Sequence, residues 1–207
     1  MRHTPQFLLT DEAEVKRLIR ENPWATIVSH TSNGLVASHY PVVLEEDAEG
    51  ISIVSHVGRP DEQLHELGQH EIIVIIQGPH GYISPGWYED GKQFIPTWNH
   101  VTAHLYGTPE ILDEAENFRV LDDLTDHFEK RMPNPLSLDI DETMARRVAK
   151  GTVGLRLRVT RFDARAKLSQ NKTPEVFDRI VTALDGDGPY NSGELAVEMR
   201  RTRDAAS

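Results

Sequence analysis

Apolar residues in the first part of the chain switch between helical and strand spacing. In residues 11–21, Val15, Leu18 and Ile19 share one helical face, and Asp11 can cap the first turn. Strand-like runs, separated by turn residues, follow at residues 24–30, 35–44, 51–55 and 72–76. The last run is β-branched throughout, which is typical of a strand buried on both faces. The pattern predicts a helix followed by four strands, with a short helix after Pro60.

The second part of the chain mixes longer helices with further strands. We predict a hairpin of strands at 98–107 and 110–112, a half-buried strand at 152–162, and helices at 114–131, 140–149, 174–184 and 192–203. In the strand at 152–162, Arg156 and Arg158 alternate with apolar residues and are predicted to face solvent. Strands joined by short hairpins and decorated with helices predict a mainly β, α+β fold built on a barrel rather than βαβ units.

The composition places the chain among globular proteins. It has 207 residues, of which 38% are hydrophobic and 27% charged, enough for one domain or one domain with an appendage. No apolar run approaches the roughly 20 residues that span a bilayer, and the first residues show no signal-peptide core. The absence of cysteine excludes disulfides, thiolate metal sites and cysteine nucleophiles. We therefore expect a soluble, cytoplasmic protein.

Charge and histidine content limit the possible functions. The formal net charge of −11 argues against direct binding to nucleic acid, which requires a positive field against the phosphates. The chain has ten histidines, and His100 and His104 are four residues apart. That spacing suits a metal on a helix, but on the strand predicted here it spans roughly 13 Å. No metal site is expected.

Three polar or aromatic segments are candidates for chemistry. The first combines residues 78–88 with 96–99 and concentrates rigid rings, which suit a planar ligand or a subunit interface. A structural aromatic corner is the alternative. The second joins Ser38-His39 to Ser55-His56 and Arg59, groups suited to a phosphate or a flavin edge, or else strand ends that meet water. The third, residues 167–172, offers a cation, a hydroxyl and amides, or is a loop before a helix.

Together these segments resemble the PaiB family of FMN-binding split-barrel proteins, which is similar to pyridoxamine-phosphate-oxidase-like flavoproteins. The resemblance covers about residues 1–185. Its most specific parts are the motif from Gln77 to Tyr88, Pro96-Thr97-Trp98-Asn99, and Lys167-Leu168-Ser169-Gln170-Asn171. The resemblance implies a six-stranded split barrel over residues 1–185, with 186–207 as a C-terminal loop and helix extension.

The resemblance also implies a homodimer with FMN bound between subunits. The residues expected to contact FMN are Ser38, His39, Ser55, His56, Arg59, Trp98, Asn99, Lys167, Ser169 and Gln170. Arg59 and Lys167 are the expected cations for the phosphate. Asp61 would repel that phosphate unless its carboxylate turns away. Trp98 is expected at the subunit seam and Asn99 inside its own subunit, the alternative being a Trp98 buried within its own barrel.

Three functions stay open at this point. The chain is an FMN-binding protein acting as an oxidoreductase or a flavin-linked regulator, with FMN supplying any redox chemistry. Alternatively, it is a transcriptional regulator that uses no flavin chemistry, as the label of the PaiB family implies. The third reading is a structural dimer without a cofactor. No catalytic residue, substrate or electron donor can be named from the sequence.

Overall fold

The fold is α+β, and the computed structural model describes residues 4–88 and 95–204. The helices among them are α1 Glu12–Glu21, α2 Arg59–Leu64, α3 Glu114–Glu129, α4 Glu142–Ala149, α5 Pro174–Asp185 and α6 Gly193–Asp204. The strands are β1 Leu8–Leu9, β2 Trp24–Thr31, β3 Gly34–Pro41, β4 Val43–Leu44, β5 Ser52–Gly58, β6 Ile72–Ile83, β7 Thr97–Gly107, β8 Glu110–Ile111, β9 Thr152–Arg158 and β10 Arg161–Lys167.

The strands form two sheets. The larger has the order β1-β10-β7-β6-β2-β3, and the smaller has the order β4-β5-β9-β8. The six-stranded sheet is open, with β1 and β3 at its edges, so its strands do not close into a complete barrel. The pairs β1–β10, β2–β3, β2–β6, β4–β5, β5–β9 and β8–β9 are all antiparallel. The fold class expected from the sequence is therefore confirmed, as a split rather than a closed arrangement.

The residues cluster into two compact units. The first unit comprises Met1–Thr10, Gln77–Thr102 and Ala164–Ser207, and the second comprises Asp11–Ile76 and Ala103–Asp163. Within the described ranges, 4–88 and 95–204, no helix combines the length and the apolarity that crossing a membrane requires.

The start of the chain folds as its pattern predicts. The Asp11 side chain accepts a hydrogen bond from the Ala13 amide at 2.9 Å, and α1 buries Val15, Leu18 and Ile19. The turn after β2 is confirmed as well, because Gly34 has a φ of +112° that a residue with a Cβ rarely adopts. This turn sets the register of the β2–β3 hairpin.

Two strand predictions in the second half are wrong. Residues 108–109 do not form a hairpin, because β8 pairs with β9 of the smaller sheet, with Glu110 opposite Arg156. The single strand predicted at 152–162 is two strands that belong to different sheets. The break falls at Val159, whose amide donates to the Ile51 carbonyl at 2.9 Å. Apolar residues occupy odd positions up to Val159 and even positions from Phe162 onwards, so the alternation shifts by one residue at this break.

The predicted exposure of Arg156 is also wrong, whereas that of Arg158 is confirmed. The side chain of Arg156 is 11% exposed and lies among three carboxylates, those of Glu45, Glu110 and Glu116, at 3.0 to 3.4 Å. The side chain of Arg158 is 70% exposed. Acidic partners from three separate segments cover Arg156, which a pattern within one strand cannot predict.

Helix α3 packs closely on the smaller sheet. Val54, Leu112, Val120 and Leu124 form a buried cluster there. A Cβ on Gly154 of β9 would stand 3.0 Å from the Asn117 Cα of α3. Glycine at this position therefore allows the close approach that buries the cluster.

Candidate functional site

The ten residues expected to contact FMN fall into two groups. Ser38, His39, Ser55, His56 and Arg59 belong to the second unit, on β3, β5 and the first residue of α2. Trp98, Asn99, Lys167, Ser169 and Gln170 belong to the first unit, on β7, β10 and the turn after β10. Each group is described by itself below.

Ser38 on β3 is held by His65, which is not among the residues expected to contact FMN. His65 is buried, and its Nε2 lies 3.0 Å from the Ser38 Oγ. Its Nδ1 lies 2.8 Å from the Ser29 Oγ. Burial lowers the pKa of His65, which keeps the ring neutral with one donor and one acceptor. His65 thus orients the Ser38 hydroxyl.

Ser55 and His56 on β5 differ in their surroundings. The buried Ser55 hydroxyl donates to the Pro41 carbonyl at 2.6 Å and so ties the end of β3 to β5. The His56 ring meets the Tyr40 ring edge-on at 6.5 Å, and burial lowers the pKa of His56. The His56 Nδ1 is buried and has no hydrogen-bond partner among the described residues. An unpartnered buried polar atom of this kind suits a ligand contact.

Tyr40 resolves the expected conflict between Asp61 and a bound phosphate. The Tyr40 hydroxyl donates to Asp61 Oδ2 at 2.7 Å and accepts from the Gly58 amide at 3.3 Å. Burial, followed by the hydrogen bond to Asp61, raises the pKa of Tyr40, which keeps the phenol protonated. The Asp61 carboxylate is therefore directed at Tyr40.

Arg59 presents an anchored and exposed guanidinium. Its Nε donates to the Lys150 carbonyl at 2.7 Å, and its side chain is 57% exposed. Glu62 lies 3.9 Å from Nη1, at the outer limit of an ion pair. A guanidinium held at one nitrogen and exposed at its fork can bind a phosphate or a carboxylate. His39 on β3 is exposed, and its ring stacks on that of Trp24 with the ring centres 6.4 Å apart.

In the first unit, Lys167 lies at the end of β10. Its ammonium donates to the Trp98 carbonyl at 2.7 Å and to the Thr97 hydroxyl. Burial, and then the charge of Lys172, lowers the pKa of Lys167. Both contacts are with neutral oxygens, so within residues 4–88 and 95–204 no anion compensates the charge of Lys167.

The turn after β10 is built around Asn99 and Ser169. Asn99 is fully buried, and its Nδ2 donates to the Ser169 Oγ at 3.0 Å. Ser169 has a φ of +62°, in the left-handed region that few residues other than glycine adopt. Gln170 supports this conformation, since its Oε1 accepts from the Leu168 amide at 2.7 Å and its Nε2 donates to the Ala166 carbonyl at 2.6 Å.

Trp98 and Asn99 point in opposite directions, as expected for neighbours on a strand. Asn99 is inside its own subunit, which confirms that part of the prediction. Trp98 is 55% exposed, so the alternative of a Trp98 buried within its own barrel is wrong. The rings of His80 and Tyr82 lie 6.4 and 6.3 Å from the Trp98 ring. They form an aromatic surface that is open to a ligand or a partner.

Each unit also contains a cavity. The cavity of the first unit has a volume of about 650 Å³ and is lined by Gln6, Phe7, Tyr88, Ile95, Thr97, Asn99, Lys167, Ser169, Asn171 and Lys172. A larger groove of about 1100 Å³ in the second unit is lined by many carboxylates, among them Glu45, Asp47, Glu49 and Asp126. Six carboxylates line this groove against the four cations Arg119, Lys130, Arg156 and Arg158, so its net charge is negative and disfavours an anionic ligand.

Metal-binding side chains do not gather at either place. In the part of the chain that the structure describes, no group of three or more histidine, aspartate or glutamate residues is arranged to hold a metal ion. His100 and His104 both lie on β7, as the strand prediction required.

Comparison with known proteins identifies the family. Residues 1–161 match the family model described as "Putative FMN-binding domain". The chain belongs to this family. Over 196 residues it is 28% identical to the protease synthase and sporulation protein PAI 2 of Bacillus subtilis, covering 93% of each chain. The resemblance to PaiB proteins is therefore confirmed, and FMN is the cofactor of this chain.

Two solved structures share the fold. A flavocytochrome of Azotobacter vinelandii has a TM-score of 0.60 at 13% identity, with 96% of this chain and 78% of that chain covered. An FAD and heme binding protein of Mycobacterium smegmatis has a TM-score of 0.59 at 17% identity, with 89% and 82% covered. At these identities the likeness establishes the split-barrel fold.

Proposed function

We propose that this chain is an FMN-dependent oxidoreductase that acts as a homodimer, with Arg59 as the main cation for the FMN phosphate. The exposed guanidinium of Arg59, anchored to the Lys150 carbonyl at 2.7 Å, is the observation that carries the proposal. The unpartnered Nδ1 of His56, three residues earlier, offers a further polar contact. These groups fit a phosphate ester, because a dianion requires charge-assisted donors in a partly dry site.

The other residues of this group would position FMN. Ser38 offers a hydroxyl oriented by His65, and Ser55 holds the end of β3 against β5. Tyr40 withdraws the Asp61 carboxylate from Arg59 through their 2.7 Å hydrogen bond. FMN supplies hydride or electron transfer when it is bound, and the protein supplies binding, orientation and exclusion of water.

The homodimer is supported by exposed apolar residues at the edge of the larger sheet. None of the side chains of β3, from Gly34 to Pro41, is fully buried, and β3 lies at the sheet edge. Leu35 on β3 is 77% exposed, and Trp24 on the paired β2 is 61% exposed. An edge strand with exposed apolar side chains is a surface that stable proteins cover. A second copy of this chain is the proposed cover.

A regulatory role linked to flavin is the second candidate. The relative in Bacillus subtilis is named as a protease synthase and sporulation protein, which supports a regulatory function for it. The net charge of −11 argues that any such role of this chain is exerted without direct binding to DNA.

The first test replaces Arg59 with alanine. Loss of one charge-assisted phosphate contact, worth about 1.5–3 kcal/mol, should weaken FMN binding about tenfold or more. Riboflavin has no phosphate, so its affinity should not change. Arg119→Ala, which removes an exposed arginine on α3, serves as a charge-matched control. Titrations monitored by flavin fluorescence give both affinities, and an equal loss for FMN and riboflavin would show that Arg59 acts through folding.

A further inference from the structure

The cavity of the first unit is lined by cations and neutral polar groups. Two lysines, Lys167 and Lys172, line it together with the hydroxyls and amides of Ser169, Asn99 and Asn171. None of the ten lining residues among those that the structure describes is a carboxylate. In a chain with a net charge of −11, this makes the cavity a local positive site.

Among the residues that the structure describes, the Lys167 ammonium has no anionic partner. Its side chain is half-buried, and its two contacts, with the Trp98 carbonyl and the Thr97 hydroxyl, are to neutral oxygens. Burial lowers the pKa of Lys167, and the nearby charge of Lys172 lowers it further. Retaining a cation under these conditions is unfavourable, and an anion in the cavity would offset that cost.

The cavity wall is fixed before any ligand binds. Ser169 holds a φ of +62° that its 3.0 Å contact with Asn99 and the hydrogen bonds of Gln170 to the backbone maintain. Residues held in sparsely populated backbone regions occur at ligand sites more often than elsewhere. This turn sets the positions of Lys167 on one side and of Asn171 and Lys172 on the other.

Apolar side chains complete the lining. Phe7, Ile95 and Tyr88 face the cavity, and the Lys172 ammonium lies 4.7 Å from the centre of the Tyr88 ring. A volume of about 650 Å³ is within the range of sites for small organic molecules. The occupant that matches this lining has an apolar or aromatic body and one oxyanion.

We propose that this cavity binds the carboxylate or phosphate group of a small organic anion with an apolar body, as a site separate from that of the FMN phosphate. The anion would be the second ligand of the flavoprotein, so its role as a substrate rests on the proposed function. Binding of the anion does not depend on that function, because binding can be measured without any turnover. The two lysines would select anionic over neutral compounds of the same shape.

The test uses purified protein saturated with FMN, titrated calorimetrically with benzoate, phenyl phosphate and the neutral benzyl alcohol. We expect both anions to bind and benzyl alcohol to bind at least tenfold more weakly. Lys167→Met should weaken both anions about tenfold or more. An FMN titration of the same variant shows whether Lys167 also contacts FMN. Lys167→Arg keeps the charge and should restore most of the binding, which guards against a misfolded methionine variant. Lys130→Met, at an exposed position at the end of α3, is the charge-matched control and should have no effect.

Several results would overturn the proposal. Failure of both anions to bind at about 10 mM would overturn it. Equal affinities of the wild-type protein and Lys167→Met for benzoate would overturn it as well. If the anions compete with FMN and Lys167→Met loses FMN in parallel, the cavity belongs to the FMN phosphate instead. Arg59→Ala separates the two hypotheses, since it should weaken FMN and leave benzoate unaffected. A protein that binds benzoate but no FMN would retain the anion site and refute the proposed function.

Discussion

Four histidines have pKa values lowered by burial, the largest cause in each case: His56, His65, His100 and His127. Each therefore favours its neutral form in the folded state more strongly than in the unfolded chain. Between the folded pKa and the ordinary value near 6.5, the unfolded state binds more protons than the folded state. Protonation in this window accordingly favours unfolding.

The first prediction is that the contribution of these histidines to the free energy of unfolding decreases as the pH falls below about 6.5 and levels off below their folded pKa values. Urea unfolding at a series of pH values measures this slope. His65→Gln should reduce it, because one buried histidine is removed, whereas His30→Gln at an exposed position should leave it unchanged. A slope that is the same in His65→Gln and the wild-type protein would contradict the prediction.

The sequence predicted the direction of the Asn99 side chain but not the contacts of His65. The inward direction of Asn99 followed from strand alternation at a known position after Pro96. The contacts of His65 could not be predicted, because Ser29 and Ser38 lie 36 and 27 residues away in the chain. Pairing of strands, rather than any local pattern, brings both hydroxyls to the ring.

At the scale of elements, strand β9 is stabilised by the ion-pair network of Arg156. The guanidinium contacts Glu45 before β5, Glu110 on β8 and Glu116 on α3. It therefore connects three separate segments to one strand. Desolvation is the largest influence on the pKa of Arg156 and lowers it. The hydrogen bonds and charges of these carboxylates together outweigh desolvation, so the pKa is raised overall.

We predict that Arg156→Leu destabilises the fold and that Arg158→Leu, two residues along the same strand, does not. Removing Arg156 leaves carboxylates clustered without their counter-charge, at a cost of about 1–3 kcal/mol, since these carboxylates are partly exposed. Arg158 is 70% exposed, and its loss should cost less than about 1 kcal/mol. Thermal and urea unfolding measure both, and equal effects of the two variants would contradict the network.

The spacing of apolar residues predicted the helices better than it predicted how the strands pair. The pattern predicted α1, α3 and α5 because each buries one stripe of its own residues. It did not predict that β8 pairs with β9, or that the chain changes sheets near Val159. Alternation identifies the apolar face of a strand but carries no information about its neighbour.

At the scale of the whole molecule, the open sheet and its exposed apolar edge motivate a dimer. We predict a mass by light scattering of twice the 23.4 kDa of one chain. Trp24→Arg and Leu35→Arg should shift the protein towards the monomer, because charge is introduced where apolar surface is covered. Leu136→Arg, at another exposed apolar residue, is the control. A wild-type monomer at micromolar concentration would contradict the prediction.

The family was predictable from the sequence because its motifs combine rigid residues in a fixed order over most of the chain. The subunit arrangement and the division of 186–207 as an extension stay predictions. The residues expected to contact FMN differ in what they do in the structure. Gln170 forms hydrogen bonds to the backbone of its own turn, whereas Arg59 exposes its guanidinium to solvent. Sequence alone does not distinguish a residue that shapes a site from one that contacts the ligand.

Titration of the purified, cofactor-stripped protein with FMN tests the central claim most directly. The absorption and fluorescence of the flavin report binding without requiring a substrate. We predict saturable binding of one FMN per chain, with the absorption of bound flavin restored and with riboflavin bound more weakly than FMN. A folded protein that leaves the FMN spectrum and fluorescence unchanged at saturating FMN would contradict the account.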